Sequence, residues 1–165
     1  MNTTLNVRDL MQIRVHAVPS AMLLAELEQE FIDKHVSGFP VVNADQLVGV
    51  VSRADIVRQL EVERQLAENT SDFYWDRSGF HEELAESMLQ IASRVGQRIE
   101  DLRVRDLMSR HLVAVSPDDS LAVLAQRFME HHIHRVLVAD HGSLVGIVST
   151  LDLVRLFADR RVAFT

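Results

Sequence analysis

Cysteine is absent from these 165 residues, which excludes a disulfide framework, a thiolate nucleophile and a thiolate metal site. Long hydrophobic runs are missing as well. The apolar stretches are far shorter than the roughly 20 residues that cross a bilayer, and Arg8 and Asp9 interrupt the opening segment where a targeting peptide would be apolar. The expected location is therefore the cytoplasm, with no membrane partner. Positive charge is in deficit: 17 Lys and Arg against 24 Asp and Glu leave a formal charge of −7. That balance speaks against a nucleic-acid partner, although a local patch can still hold a small anion. Signatures of catalysis are lacking too, with no Gly-x-x-x-x-Gly-Lys loop, no HExxH and no serine in a nucleophile elbow. We expect no enzyme, no catalytic cofactor and no metal. The run HHIH at 131–134 reads as a helix end satisfied by histidine, since adjacent His131 and His132 point apart on a helix.

What the chain does have is apolar content, 47%, ample for a core, and an internal repeat. A shift of 97 residues, without a gap, sets 7–60 against 104–157 with 22 identities in 54 positions. VRDLM at 7–11 returns unchanged at 104–108, and LVGVVSRADIVR at 47–58 returns as LVGIVSTLDLVR at 144–155. Duplication is the simplest account.

Within each copy the hydrophobic period changes in the same order. RVHAV (14–18) and HLVAV (111–115) read as short strands. Beyond Pro19 and Pro117 the apolar spacing becomes three and four, at Leu24, Leu27, Phe31 and at Leu121, Leu124, Phe128, which predicts one-faced helices with Asp118 or Asp119 in the first turn of the second. Two branched-apolar strands follow, separated by the turn-like NADQ and DHGS. A second helix starts near Ser52 or Ser149. The fold class is α/β (α+β in some schemes), built from duplicated beta-alpha-beta-beta-alpha units. Because about 50 residues bury little surface alone, the copies are expected to pack as a pseudo-twofold pair.

The strand-to-helix junction carries the candidate chemistry. Ser52 and Ser149 can cap a helix whose free amides favour an anion. Asp55 and Asp152, three residues on, can reach back over the junction and accept the hydrogen bonds of a sugar diol. Ser-x-x-Asp is equally a capping device, so the residues alone divide between helix initiation and ligand binding.

The ordered set of VRDLM, SGFPVV or HRVLVAD, and Gly-x-x-Ser-x-x-Asp resembles the CBS domain, named for cystathionine beta-synthase, in the tandem arrangement called a Bateman module. The resemblance covers 7–60 and 104–157. It implies two clefts that in many members take adenine nucleotides (AMP, ADP, ATP) or S-adenosylmethionine, with the lead-in to the first strand packed beside the base. It gives the ribose hydroxyls to Asp55 or Asp152 and the ribose or phosphate to Ser52 or Ser149. His134 and Arg135 match a phosphate-facing His-Arg of the nucleotide-sensing subunit of AMP-activated protein kinase. The first copy has Ser37 and Gly38 there, so unequal clefts are expected. Arg135 suits phosphate by its planar fork and permanent charge.

The expected boundaries are 7–66 for the first CBS domain, 67–103 for an insertion and 104–160 for the second domain. In the insertion, Glu61 to Asn69 continues a helix, Phe73, Tyr74, Trp75 and Phe80 gather in a loop, and 81–95 is helical with Leu84, Met88, Ile91 and Val95 on one face. The aromatics either seal the connection against its own core or form a partner surface. A homodimer is expected, with a regulated protein as a further partner. The functional expectation is a regulatory, ligand-sensing module; the alternative is a structural or protein-interaction module with empty clefts.

Overall fold

Two hairpins set the frame of the computed structural model, which describes residues 5–78 and 83–159. In chain order the elements are β1 (Val18–Pro19), α1 (Leu24–Lys34), β2 (Gly38–Asn43), β3 (Gln46–Ser52), α2 (Arg53–Ser78), α3 (Glu83–Asp101), α4 (Val104–Leu107), β4 (Ala114–Val115), α5 (Leu121–His131), β5 (Arg135–Asp140), β6 (Ser143–Ser149) and α6 (Thr150–Ala158), preceded by a 3-10 turn at Val7–Asp9. The fold is mixed α/β, as expected. The β2–β3 hairpin turns through Ala44 and Asp45 (φ 47° and 66°), and the β5–β6 hairpin through His141 and Gly142 (φ 47° and 84°). Two successive left-handed residues give the hairpin turn whose twist matches that of antiparallel strands.

The strand order is β1-β2-β3-β6-β5-β4. β5 and β6 are antiparallel, from Arg135 opposite Ser149 to Asp140 opposite Ser143, and β4 runs parallel to β5 with Ala114 opposite Leu137. The hairpin tips meet where Gln46 faces Ser143, with the Leu47 amide donating to the Gly142 carbonyl at 2.9 Å and Gln46 Nε2 to Ser143 Oγ at 3.0 Å.

Among the described residues the chain forms two compact units that do not follow the repeat boundary. One contains 5–17, 42–49 and 110–159; the other contains 18–41, 50–78 and 83–109. In the first, Val7 joins Val115, Leu124, Phe128, Val136, Val138 and Val148 in the core, and Met11 packs against it. Its backbone is anchored by amides of Val7 and Arg8 donating to the carbonyls of Asp119 and Pro117, both at 3.0 Å, and by paired bonds between Gln12 and Ile147. In the second, the amides of Val104 and Arg105 donate to Met22 and Ser20, both at 2.9 Å, and Ser109 pairs with Val50. There Val18, Leu24, Leu27, Phe31, Phe39, Val41, Val51, Ile56, Val104 and Leu107 are buried, with the Phe31 and Phe39 rings 4.8 Å apart.

These anchors correspond bond for bond under the 97-residue shift. Each unit thus receives its VRDLM segment from the opposite repeat. The exchange also explains why the opening strands are shorter than RVHAV and HLVAV predict. Only Val18–Pro19 and Ala114–Val115 are strand, because the preceding residues cross between units and leave the ladder partner.

Two further expectations change. α5 starts at Leu121 with Ser120 as N-cap, its Oγ accepting the Val123 amide at 3.3 Å. Pro117, Asp118 and Asp119 form the turn before it, where Asp119 accepts the Ser116 amide at 2.8 Å. α2 runs to Ser78, so Phe73, Tyr74 and Trp75 belong to a helix rather than a loop; no proline or glycine interrupts 53–78. Phe80 lies outside the described residues. α3 reaches Asp101, beyond the expected Val95.

Candidate functional site

In the first unit, β6 ends at Ser149 and α6 begins at the next residue. Ser149 Oγ accepts the Asp152 amide at 3.3 Å and, as donor, reaches Asp152 Oδ2 at 2.6 Å; the Ser149 amide donates to the same oxygen at 2.8 Å. This reciprocal cap occupies one carboxylate oxygen completely. The other, Oδ1, has looser company: Gln12 Nε2 at 3.4 Å and Arg155 Nη1 at 3.7 Å. Asp152 is only 9% exposed. Burial pushes its carboxyl up, but hydrogen bonds from the Ser149 hydroxyl and amide, then Gln12 and the charge of Arg155, outweigh it and hold the pKa below the usual value. The site is an anionic acceptor with one oxygen only loosely held.

The other two expected residues reach the same end of the hairpin. Arg135 sits opposite Ser149, and the His134 carbonyl accepts the Thr150 amide at 3.0 Å. Both side chains are exposed. Gly146, three residues before Ser149, allows a close approach: a Cβ there would lie 2.9 Å from Met11 Sδ and 3.1 Å from Met11 Cβ.

The equivalent junction in the second unit is differently filled. Ser52 and Asp55 repeat the cap, with Asp55 Oδ2 accepting the Ser52 amide at 2.8 Å and hydroxyl at 2.6 Å. Here Oδ1 is claimed by Arg58 Nη1 at 2.7 Å. Gly38 stands where Arg135 stands in the other copy, and a side chain there would begin 3.1 Å from the Val51 carbonyl oxygen. A cation is nevertheless present. Arg53, next to Ser52, donates to the Phe31 carbonyl at 2.7 Å and lies 5.5 Å from the Phe31 ring centroid. Thus Ser52 with Asp55, and Ser149 with Asp152, come together as expected.

Sequence reasoning missed Gln12, Arg53, Arg58 and Arg155. The arginines were legible as near neighbours of the motif, and Arg58 and Arg155 recur at the same offset. Gln12 was not, because its place beside Asp152 depends on the exchange of lead-ins. His132 is the left-handed C-cap of α5 (φ 52°), its amide donating to the Phe128 carbonyl, and His35 repeats that conformation (φ 53°). Among the described residues no three His, Cys, Asp or Glu groups are placed to hold a metal, and no helix is long and apolar enough to cross a membrane.

The family model of the CBS domain matches residues 7–62 and again 104–159. The chain belongs to the CBS domain family, as a tandem pair. An uncharacterised protein of Methanocaldococcus jannaschii, MJ1426, is 30% identical over 139 residues, covering 79% of each chain. The gamma-3 subunit of human 5'-AMP-activated protein kinase is 29% identical over 127 residues, which cover 76% of this CBS pair but 21% of the subunit. Among solved structures, CBSX2 in complex with AMP matches at TM-score 0.65 with 22% identity, over 95% of this chain and 98% of that one. The CBS pair of MJ0100, solved with 5'-methylthioadenosine and S-adenosyl-L-methionine, matches at 0.59 with 19% identity, over 96% and 99%. These likenesses show the fold.

Proposed function

We propose that this CBS pair is a regulatory sensor that binds an adenine nucleotide or adenosyl compound at the Ser149–Asp152 junction, without catalysis. The observation that carries the reading is the half-used Asp152 carboxylate: deprotonated, nearly buried, one oxygen committed to the helix cap and the other only loosely held. A ribose hydroxyl is a suitable donor to that oxygen. Exposed Arg135, opposite Ser149, is the residue for a phosphate, with His134 beside it. The AMP of CBSX2 and the adenosyl compounds of MJ0100 support the same ligand class, and AMP, ADP and ATP are the first candidates. Ser52 and Asp55 form a second, weaker site, because Arg58 already neutralises Asp55.

The competing reading is a structural or interaction module whose Ser-x-x-Asp motifs only cap helices. Asp55 favours it, since both of its oxygens are engaged. Titration with AMP, ADP, ATP, S-adenosylmethionine and NAD, with mass spectrometry of what copurifies, separates the two. Saturable binding of an adenosyl compound is expected, and indifference to the whole panel overturns the sensor reading.

A further inference from the structure

The residue beside Asp152 that the repeat pattern does not contain is Gln12, whose counterpart in the other copy is Ser109. Its main chain is fixed: the Gln12 amide donates to the Ile147 carbonyl at 2.9 Å, and the Ile147 amide returns to the Gln12 carbonyl at 3.1 Å. Met11, just before it, fills the space over Gly146. With the backbone held on both counts, the Gln12 side chain reaches the one oxygen of Asp152 that the cap leaves over, through Nε2 at 3.4 Å. That contact is long for a hydrogen bond. Gln12 Oε1 has no partner among the described residues, and an amide oxygen can accept two hydrogen bonds.

We propose that Gln12 is a specificity residue that reads the second hydroxyl of a vicinal diol, so that Asp152 and Gln12 together distinguish a ribonucleotide from its deoxy counterpart. The proposal rests on the adenosyl reading above and adds to it the element that selects the sugar. One hydroxyl donates to Asp152 Oδ1 and its neighbour to Gln12 Oε1, while the Nε2 to Oδ1 contact keeps the two acceptors side by side. A diol suits this pair because its two donors sit on adjacent carbons. A single hydroxyl satisfies one acceptor and strands the other, which is how a polar site rejects an analogue that lacks a donor. Since Gln12 belongs to the exchanged lead-in, the sugar also ties the start of the first repeat to the body of the second, within one unit.

The test uses the full chain with Gln12→Met, which keeps the length of the side chain and removes its hydrogen bonding. AMP and 2',3'-dideoxy-AMP are titrated against the unaltered protein and the variant, with thermal unfolding of the free proteins as a control on the fold. Loss of one neutral hydrogen bond should weaken AMP roughly two- to tenfold. It should leave dideoxy-AMP unchanged, so that discrimination between the two shrinks by the same factor. Equal AMP affinity in both proteins, or an equal loss for both nucleotides, overturns the role of Gln12 and leaves the adenosyl reading standing. If the unaltered protein binds neither nucleotide, nor any other adenosyl compound of the panel, that reading falls and the role of Gln12 falls with it.

Discussion

Asp152 caps a helix and, in the proposed function, also binds ribose, and each role makes its own prediction. As a cap, its carboxylate is held below the ordinary pKa near 3.8. A lowered folded-state value contributes stability above the unfolded pKa, and that contribution is lost as pH falls through the folded one. Urea midpoints should therefore drop in the acid range below about pH 4, and Asp152→Asn should flatten part of that fall; an unchanged acid profile would remove the carboxylate from the linkage. In the proposed ribose site its Oδ1 accepts one charge-assisted hydrogen bond, worth about 1.5–3 kcal/mol. Asp152→Ala should weaken AMP and adenosine alike by at least about tenfold. Arg135→Ala should weaken AMP and leave adenosine nearly untouched, because its proposed partner is the phosphate, and Asp55→Ala should matter less than Asp152→Ala. Isothermal calorimetry on the three variants reads all of this. If Asp152→Ala binds AMP as the unaltered protein does, the residue is a cap alone.

Elements are held together here by contacts that substitution can separate. Between α2 and α3, Glu63 is 2% exposed; its Oε1 accepts from Gln59 at 3.1 Å and from Arg98 at 3.2 Å, while Oε2 has no partner. A half-satisfied buried carboxylate stabilises little, yet losing its cation is costly. Arg98→Ala should destabilise by about 1–3 kcal/mol, whereas Glu63→Met should be neutral or stabilising; both are measured by urea unfolding, and a large loss from Glu63→Met would mean that the ion pair is a net contributor. At Gly146 the obstruction is Met11, whose backbone cannot yield because Gln12 is bonded to Ile147. Gly146→Ala should cost about 1–3 kcal/mol by overpacking, and Met11→Ala in the same chain should recover part of it. The hairpins and both amphipathic helices were legible in the sequence, because period and turn residues are local signals. The length of β1 and β4 was not, since it depends on where a distant segment takes over the pairing.

At the scale of the whole molecule, large apolar side chains are exposed on helices of both units, three of them at matched positions of the repeat. In one, Met129, Leu151, Val154 and Phe157 are 75%, 56%, 57% and 48% exposed; in the other, Ile32, Val57 and Leu60 are 59%, 66% and 39% exposed. Exposed apolar helix faces of this kind mark interaction surfaces, and we propose that they serve a homodimer. Light scattering should return a mass of about 37 kDa, twice the 18.7 kDa of one chain. Val57→Asp and Val154→Asp together should yield monomers, and a monomeric unaltered protein at micromolar concentration would sink the proposal. The duplication and the two Ser-x-x-Asp junctions were plain from the repeat. The partner of each lead-in was hidden by the repeat itself: 7–11 and 104–108 are identical, so these residues alone do not say which body takes which segment.

That exchange bears on how the protein is made. The residues that bury Val7, among them Val136, Val138 and Val148, are made long after it. The unit that ends at Ser109 has its anchoring segment earlier and can close while translation continues, domain by domain. Val7 and Met11 meet their native partners only after β6 emerges. Completion of the other unit therefore waits on β6, and a stall anywhere between Ser109 and Ser149 leaves the segment around Val7 without its native partners.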